Sequence, residues 1–294
     1  MPDRGEIESV YRELQDSLCA ALEAVDGKSS FGRDQWKREG GGGGSTRILA
    51  GPGHIEKAAV NFSAVEGETP EELSERLATG SDRFYATGLS VIVHPRNPHA
   101  PTFHANVRYF ETDSGSRWFG GGADMTPYYL YPEDARHFHG VLREVCDRHD
   151  IADYDTWKRA CDEYFYLPHR GEARGIGGLF FDHLRESLDD VWGFQTDLGR
   201  ALTDACLPIL ARRIGTEYGP AEERWHEIRR GRYVEFNLAW DRGTRFGLET
   251  AGRAESILSS LPPRARWEYD FRPAPGSAEA ELLAVLTEEP RTWI

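Results

Sequence analysis

Between Gly88 and Gly121 three strand-like runs follow one another too closely for helical crossovers: GLSVIV at 88–93, FHANVRYF at 103–110 and SRWFGG at 116–121. Parallel neighbours need a dozen or more connecting residues, so these runs favour an antiparallel sheet. HPRNPHAP, between the first two, has too much proline for anything but a constrained loop. Helical patterns lie before and after, without a regular βαβα beat. Ile7, Val10, Tyr11, Leu14, Leu18, Leu22 and Val25 keep three-and-four spacing, and Gly27 is a stop signal. Pro132 opens a helix through about His149, another covers about Asp153–Tyr164, a long one runs through GFQTDLGRALTDACLPILARRI, and 277–286 form a short last one. GRYVEFNLAW and RARWEYDF read as further strands. The expectation is an α+β fold: a large antiparallel sheet flanked on both faces by α-helices, with residues 1–294 as a single domain.

Side chains alternate along a strand, so His104, Asn106 and Arg108 share one face and Ala105, Val107 and Tyr109 the other. By the same alternation Ser90, Ile92 and His94 share a face. A solvent-facing strand usually carries Lys, Glu and Thr rather than His-x-Asn-x-Arg. The pattern instead suits a polar binding surface, where Arg108 can grip a carboxylate through charged bonds of about 1.5–3 kcal/mol each. Read as a strand, Tyr233–Trp240 puts Tyr233, Glu235 and Asn237 on a face that either lines the same cavity or meets water. Helical spacing turns His139 inward and His137 outward. The five-glycine run ending in Ser45 fits either a backbone approaching a ligand or a loose surface loop. Asp124, in WFGGGADMTP, is a catalytic or pyrrole-facing carboxylate or a turn cap, and Arg170 and Arg174 flank a glycine-rich turn that is either a carboxylate-binding loop or an ordinary charged surface turn.

Composition narrows the partners. Net charge is 35 − 49 = −14, which makes nucleic acid a poor partner. Arginine supplies nearly all the positive charge, since Lys28, Lys37, Lys57 and Lys158 are the only lysines. An anionic small molecule therefore needs locally gathered arginines. Cys19, Cys146, Cys161 and Cys206 form no C-x-x-C pair, so an iron–sulfur cluster has no support. No dinucleotide fingerprint follows a strand. The start, MPDRGEIESVYRELQ, lacks an apolar core, and no apolar run reaches the roughly 18 residues of a membrane span. These features give the expectation of a cytoplasmic protein without stable membrane insertion.

Taken together, WKREGGGGGSTRIL, AAVNFSAVEGE, GLSVIVHPRNPHAPTFHANVRYF, RWFGGGADMTPYYLYPEDARHFH, CDEYFYLPHRGEARGIGGLFFDHL and RGRYVEFNLAWDRGTRFGLETAGRAESILSSLPPRARWEYD resemble the oxygen-dependent coproporphyrinogen III oxidase family, from about Asp34 to about Phe271. The resemblance implies oxidative decarboxylation of two propionates of coproporphyrinogen III to vinyls, giving protoporphyrinogen IX in haem biosynthesis. It implies O₂ as co-substrate, no organic cofactor, and a homodimer joined through about Tyr233 to Trp267. Ser90, Asn106, Arg108, Gly252 and Arg253 resemble substrate-binding positions, and His104 the proton donor. Asp124 and Arg174 match residues acting near the pyrrole and the propionate. His94, His104, His139 and His169 match a divalent-metal set in bacterial members, for Mn²⁺ or a similar cation. Ala251 departs from the glycine common before the Gly252–Arg253 pair. A non-catalytic tetrapyrrole-binding protein, or a metal-dependent oxygenase on another carboxylated substrate, would use many of the same residues.

Overall fold

A computed structural model describes residues 1–69, 83–249 and 252–294; Ala251 lies outside them. Its frame is a seven-stranded antiparallel sheet in the order β1 (Gly32–Lys37), β2 (Gly42–Ala50), β3 (Ile55–Glu68), β4 (Arg83–Pro95), β5 (Thr102–Thr112), β6 (Arg117–Thr126) and β9 (Gly178–Leu184). Two short strands, β7 (Tyr166–Leu167) and β8 (Glu172–Ala173), pair separately. The α+β expectation holds.

One face of the sheet carries the core. Val60 and Phe62 of β3, Leu89 and Val91 of β4, Phe103, Ala105 and Val107 of β5, and Phe119 and Ala123 of β6 are buried there. Against them pack Tyr11, Leu14 and Leu18 of α1 (Arg4–Asp26) and Phe138 and Leu142 of α2 (Pro132–Cys146). Trp157 of α3 (Tyr154–Tyr164) and Phe194, Leu198 and Leu202 of α4 (Leu188–Arg213) complete the layer. Asp3 and Glu6 form a reciprocal cap at the start of α1, and Gly27 ends it at φ +72°. Gln195 of α4 reaches through this layer to donate to the carbonyls of Arg108 and Gly120, tying β5 to β6.

The opposite face is only partly covered, by α5 (Pro220–Ala239), the short α6 (Arg242–Glu249) and α7 (Ala254–Ile257), and the residues after α7. Here the structure corrects two expectations. Residues 233–240 are not a strand but the end of α5. Tyr, Val, Phe and Trp favour strands, yet Pro220 and the Gly219 amide donating to Glu222 start a helix upstream. Buried Trp225, Ile228, Arg229, Tyr233, Phe236 and Asn237 then keep the 3.6-residue period to its end. Tyr233 and Asn237 therefore still share a face, four residues apart, while Glu235 turns away. Residues 264–271 are not a strand either. They run along α5, held by the Arg266 amide on Glu227 O and by Arg224–Glu268 and Arg266–Glu227 ion pairs. The final helix, α8, spans Ala278–Thr287.

Candidate active site

Register turns the alternation of single strands into rows across the open face. One row runs Asp34, Thr46, Asn61, Ser90, Asn106 and Gly122 over six strands. The row on one side is Trp36, Gly44, Ser63, Gly88, Arg108 and Gly120. On the other side lie Ala59, Ile92, His104, Asp124 and Gly178. Ser90 is exposed although it sits on the middle strand of the sheet, and His104, Asn106 and Arg108 are half-buried. The centre of this face is thus an open, polar floor.

Small residues keep that floor low. A Cβ on Gly44 would lie 2.4 Å from Trp36 Cζ2, and one on Gly120 would lie 2.6 Å from Asp182 Oδ1 and 2.9 Å from Arg108 Nε. The glycine run is therefore an ordered hairpin: Gly41 and Gly42 turn the chain at φ +118° and +81°, and Gly44 leaves room for the Trp36 indole.

One wall follows α7. Thr46 Oγ1 lies 2.8 Å from Ser256 Oγ, and Asn61 donates to Ser256 O at 3.2 Å and Ser259 Oγ at 2.9 Å. Gly252 donates to Gly247 O at 2.8 Å, and Arg253 pairs with Asp34 at the sheet edge. Arg108, on the opposite side, donates to Asn106 Oδ1 at 2.6 Å and lies 3.1 Å from Asp182, its guanidinium 5.9 Å from the Phe180 ring centre. Arg108 stays 37% exposed despite those partners, so it can still meet an anion.

Behind the floor stands a buried chain of charge. His104 Nδ1 is 2.7 Å from Asp124 Oδ1, and Arg174 Nη2 donates to Asp124 Oδ2 at 2.5 Å. Asp124 and Arg174 are 3% and 1% exposed, so neither presents a surface to the floor. Burial pushes the Asp124 carboxyl up, but the Arg174 charge and the His104 bond outweigh it and hold the carboxyl below its usual value. An ionised Asp124 can only accept, so the hydrogen between the two lies on His104 Nδ1. Arg174 sits among the rings of Phe165, Tyr233 and Phe236, 4.0, 4.6 and 4.7 Å from their centres, and donates to Asn237 at 3.3 Å.

The four matched histidines do not converge as a chelating set. His94 is fully buried, facing Thr102 Oγ1 at 3.1 Å and Ser260 O at 2.9 Å. His139 is spent on Tyr154 and the Ile176 carbonyl, and His169 on Glu235 and the Trp240 indole. Among the described residues no group of three or more His, Cys, Asp or Glu could hold a metal. The donor set as arranged does not fit a shared cation.

Of the residues singled out in the sequence, Ser90, His104, Asn106, Arg108, Asp124 and Arg174 come together. Gly252 and Arg253 form the far rim; His94 is buried behind the site against Tyr233, and His139 and His169 stand apart. Trp36, Asn61 and Asp182 were not singled out. Once the register is known, cross-strand pairing finds Trp36 and Asn61; Asp182 is found only through its contact with Arg108.

A family model described as coproporphyrinogen III oxidase matches residues 6–293, nearly the whole length. The chain belongs to the coproporphyrinogen III oxidase family, whose members are oxidoreductases of porphyrin and haem biosynthesis. Among the described residues no helix is long and apolar enough to cross a membrane.

Proposed function

We propose that this chain is the oxygen-dependent enzyme of its family, decarboxylating two propionates of coproporphyrinogen III to vinyls in the cytoplasm. At each propionate one carboxylate, one O₂ and one proton become one vinyl, one CO₂ and one H₂O₂. The porphyrinogen is electron-rich enough to meet O₂ without an organic cofactor. No step here runs through a metal, because the four histidines do not share a site.

The observation that carries this reading is the open patch of Ser90, Asn106 and Arg108 beside the His104–Asp124–Arg174 chain. Arg108 binds a propionate, and Ser90 and Asn106 orient it. His104 Nε2 moves the proton, with Asp124 fixing its tautomer and Arg174 keeping Asp124 ionised. Sequence alone suggested that Asp124 meets the pyrrole and Arg174 a propionate; their burial favours this indirect role. Arg253 faces the substrate from the far rim beside Gly252.

The homodimer belongs to the same proposal. Its support is an exposed apolar surface near the end of α5 and beyond it: Leu238 at 46%, Trp240 at 42%, Trp267 at 55% and Tyr269 fully exposed. The test is CO₂ release from coproporphyrinogen III with and without O₂. Release only in air supports the proposal, and equal release in strict anaerobiosis refutes it. Activity that EDTA abolishes and a cation restores would put a metal back into the mechanism.

A further inference from the structure

The open face does not end at Arg108. One pleat repeat beyond it, pairing sets Ala86, Phe110 and Trp118 side by side, and Phe84 follows on β4. Phe84 and Phe110 stack with centres 5.7 Å apart and planes 6° from parallel. Phe110 and Trp118 stack at 4.3 Å and 22°, and His183 continues the series at 5.3 Å and 23°. Guanidinium groups close both ends: Arg38 lies 5.9 Å from the Phe84 centre, and Arg185 lies 4.8 Å from that of Trp118. Strands are about 4.8 Å apart, so rings stacked from strand to strand stand upright and turn their edges outward.

Core packing does not account for the partly exposed rings of Phe84 and Phe110 in this ladder. Phe84, Phe110 and Trp118 belong to none of the buried apolar clusters; Trp118 is buried, 4% exposed, while Phe84 and Phe110 are only half-buried on the face opposite the main core and are the ladder's accessible part. Arg185 is exposed and has no carboxylate partner among the described residues. Ring edges carry the positive part of the aromatic quadrupole and attract electron-rich π faces.

We infer that the Phe84–Phe110–Trp118 ladder, with Arg185, binds the half of the tetrapyrrole that is not reacting. This rests on the function proposed above and states where its substrate extends. His104 and Phe110 are six residues apart on one strand, about 20 Å, a reach suited to a macrocycle with extended carboxylate arms. With one propionate at His104 and Arg108, the far pyrroles lie over the ring edges. A far propionate meets Arg185. The low floor at Gly88 and Gly120 lets the macrocycle pass between the two ends.

The experiment titrates coproporphyrin III, the oxidised and unreactive tetracarboxylate, against the full-length chain by tryptophan quenching. Wild type is compared with Phe110→Ser, Phe84→Ser and Arg185→Gln, and KM and kcat are then measured with coproporphyrinogen III. Phe110→Ser should weaken binding about tenfold, with the loss falling on KM rather than kcat. Arg185→Gln, a change at an exposed residue that removes the guanidinium beside Trp118, should weaken binding several-fold. Unchanged affinity in Arg185→Gln and in folded Phe84→Ser or Phe110→Ser would overturn the inference. If Phe110→Ser fails to fold, Arg185→Gln and Phe84→Ser decide. Binding that depends on the ladder in a chain that releases no CO₂ would sink the proposed function and leave the ladder standing.

Discussion

Arg174→Met is the sharpest probe of the buried charge chain. It removes the guanidinium from its ring cage and leaves Asp124, 3% exposed, with the His104 imidazole as its side-chain hydrogen-bond partner among the described residues. Breaking a pair so buried should cost about 3–5 kcal/mol, because the surviving charge keeps its desolvation penalty. Arg174→Met with Asp124→Asn removes both charges, so its cost should fall well below the sum of the singles, with coupling of about 2 kcal/mol or more. The sign with pH follows. In the wild type the Asp124 carboxyl is held below its usual value, so its stabilisation is present above the normal carboxylate range and is lost as pH falls through the depressed value. Without Arg174 burial dominates and the folded value rises. The variant should then regain stability relative to wild type on acidification. Urea unfolding of the four proteins at pH 8 and pH 5, followed by tryptophan fluorescence, measures this. Additive single costs, or an Arg174→Met penalty independent of pH, would refute the coupled buried pair.

His104→Gln should keep coproporphyrin binding and lower kcat by about 10²–10⁴, the span of a lost proton-transfer group, as steady-state kinetics would show. Gly120→Ala should push Arg108 away from Asp182, given a Cβ 2.9 Å from Arg108 Nε, and raise KM with little change in melting temperature. His139 is buried neutral, its pKa lowered to about 3 by burial and nearby Lys158, and burial also drives His94 and His226 well down. Unfolding lets such groups take protons from about pH 6.5 downward, so stability should fall by about 1.4 kcal/mol per pH unit for His139 alone; acid titration of the urea midpoint checks the slope.

Much of the fold was legible because its signals are local. Period-two alternation placed β5 and its polar face, and three-and-four spacing with Gly27 and Pro132 placed α1 and α2. Residues 233–240 were misleading because strand-forming residue types finish a helix whose start signals lie upstream of them, at Gly219–Glu222. His104, Asn106 and Arg108 were readable as a set because one strand carries them. The Asp124–Arg174 pair spans 50 residues, and its burial depends on Phe165, Tyr233 and Phe236, brought from two other segments; no local pattern encodes such a meeting.

Each of the central strands carries two messages on alternate residues: from Phe103 to Arg108, odd positions of β5 are core and even positions are site. Losing a single residue inside β5 would exchange them, driving guanidinium and imidazole into the apolar layer while turning Phe103 and Val107 to water. Changes of chain length are thus confined to the hairpin tips, and the chemistry of the cleft can drift only by replacing one side chain with another.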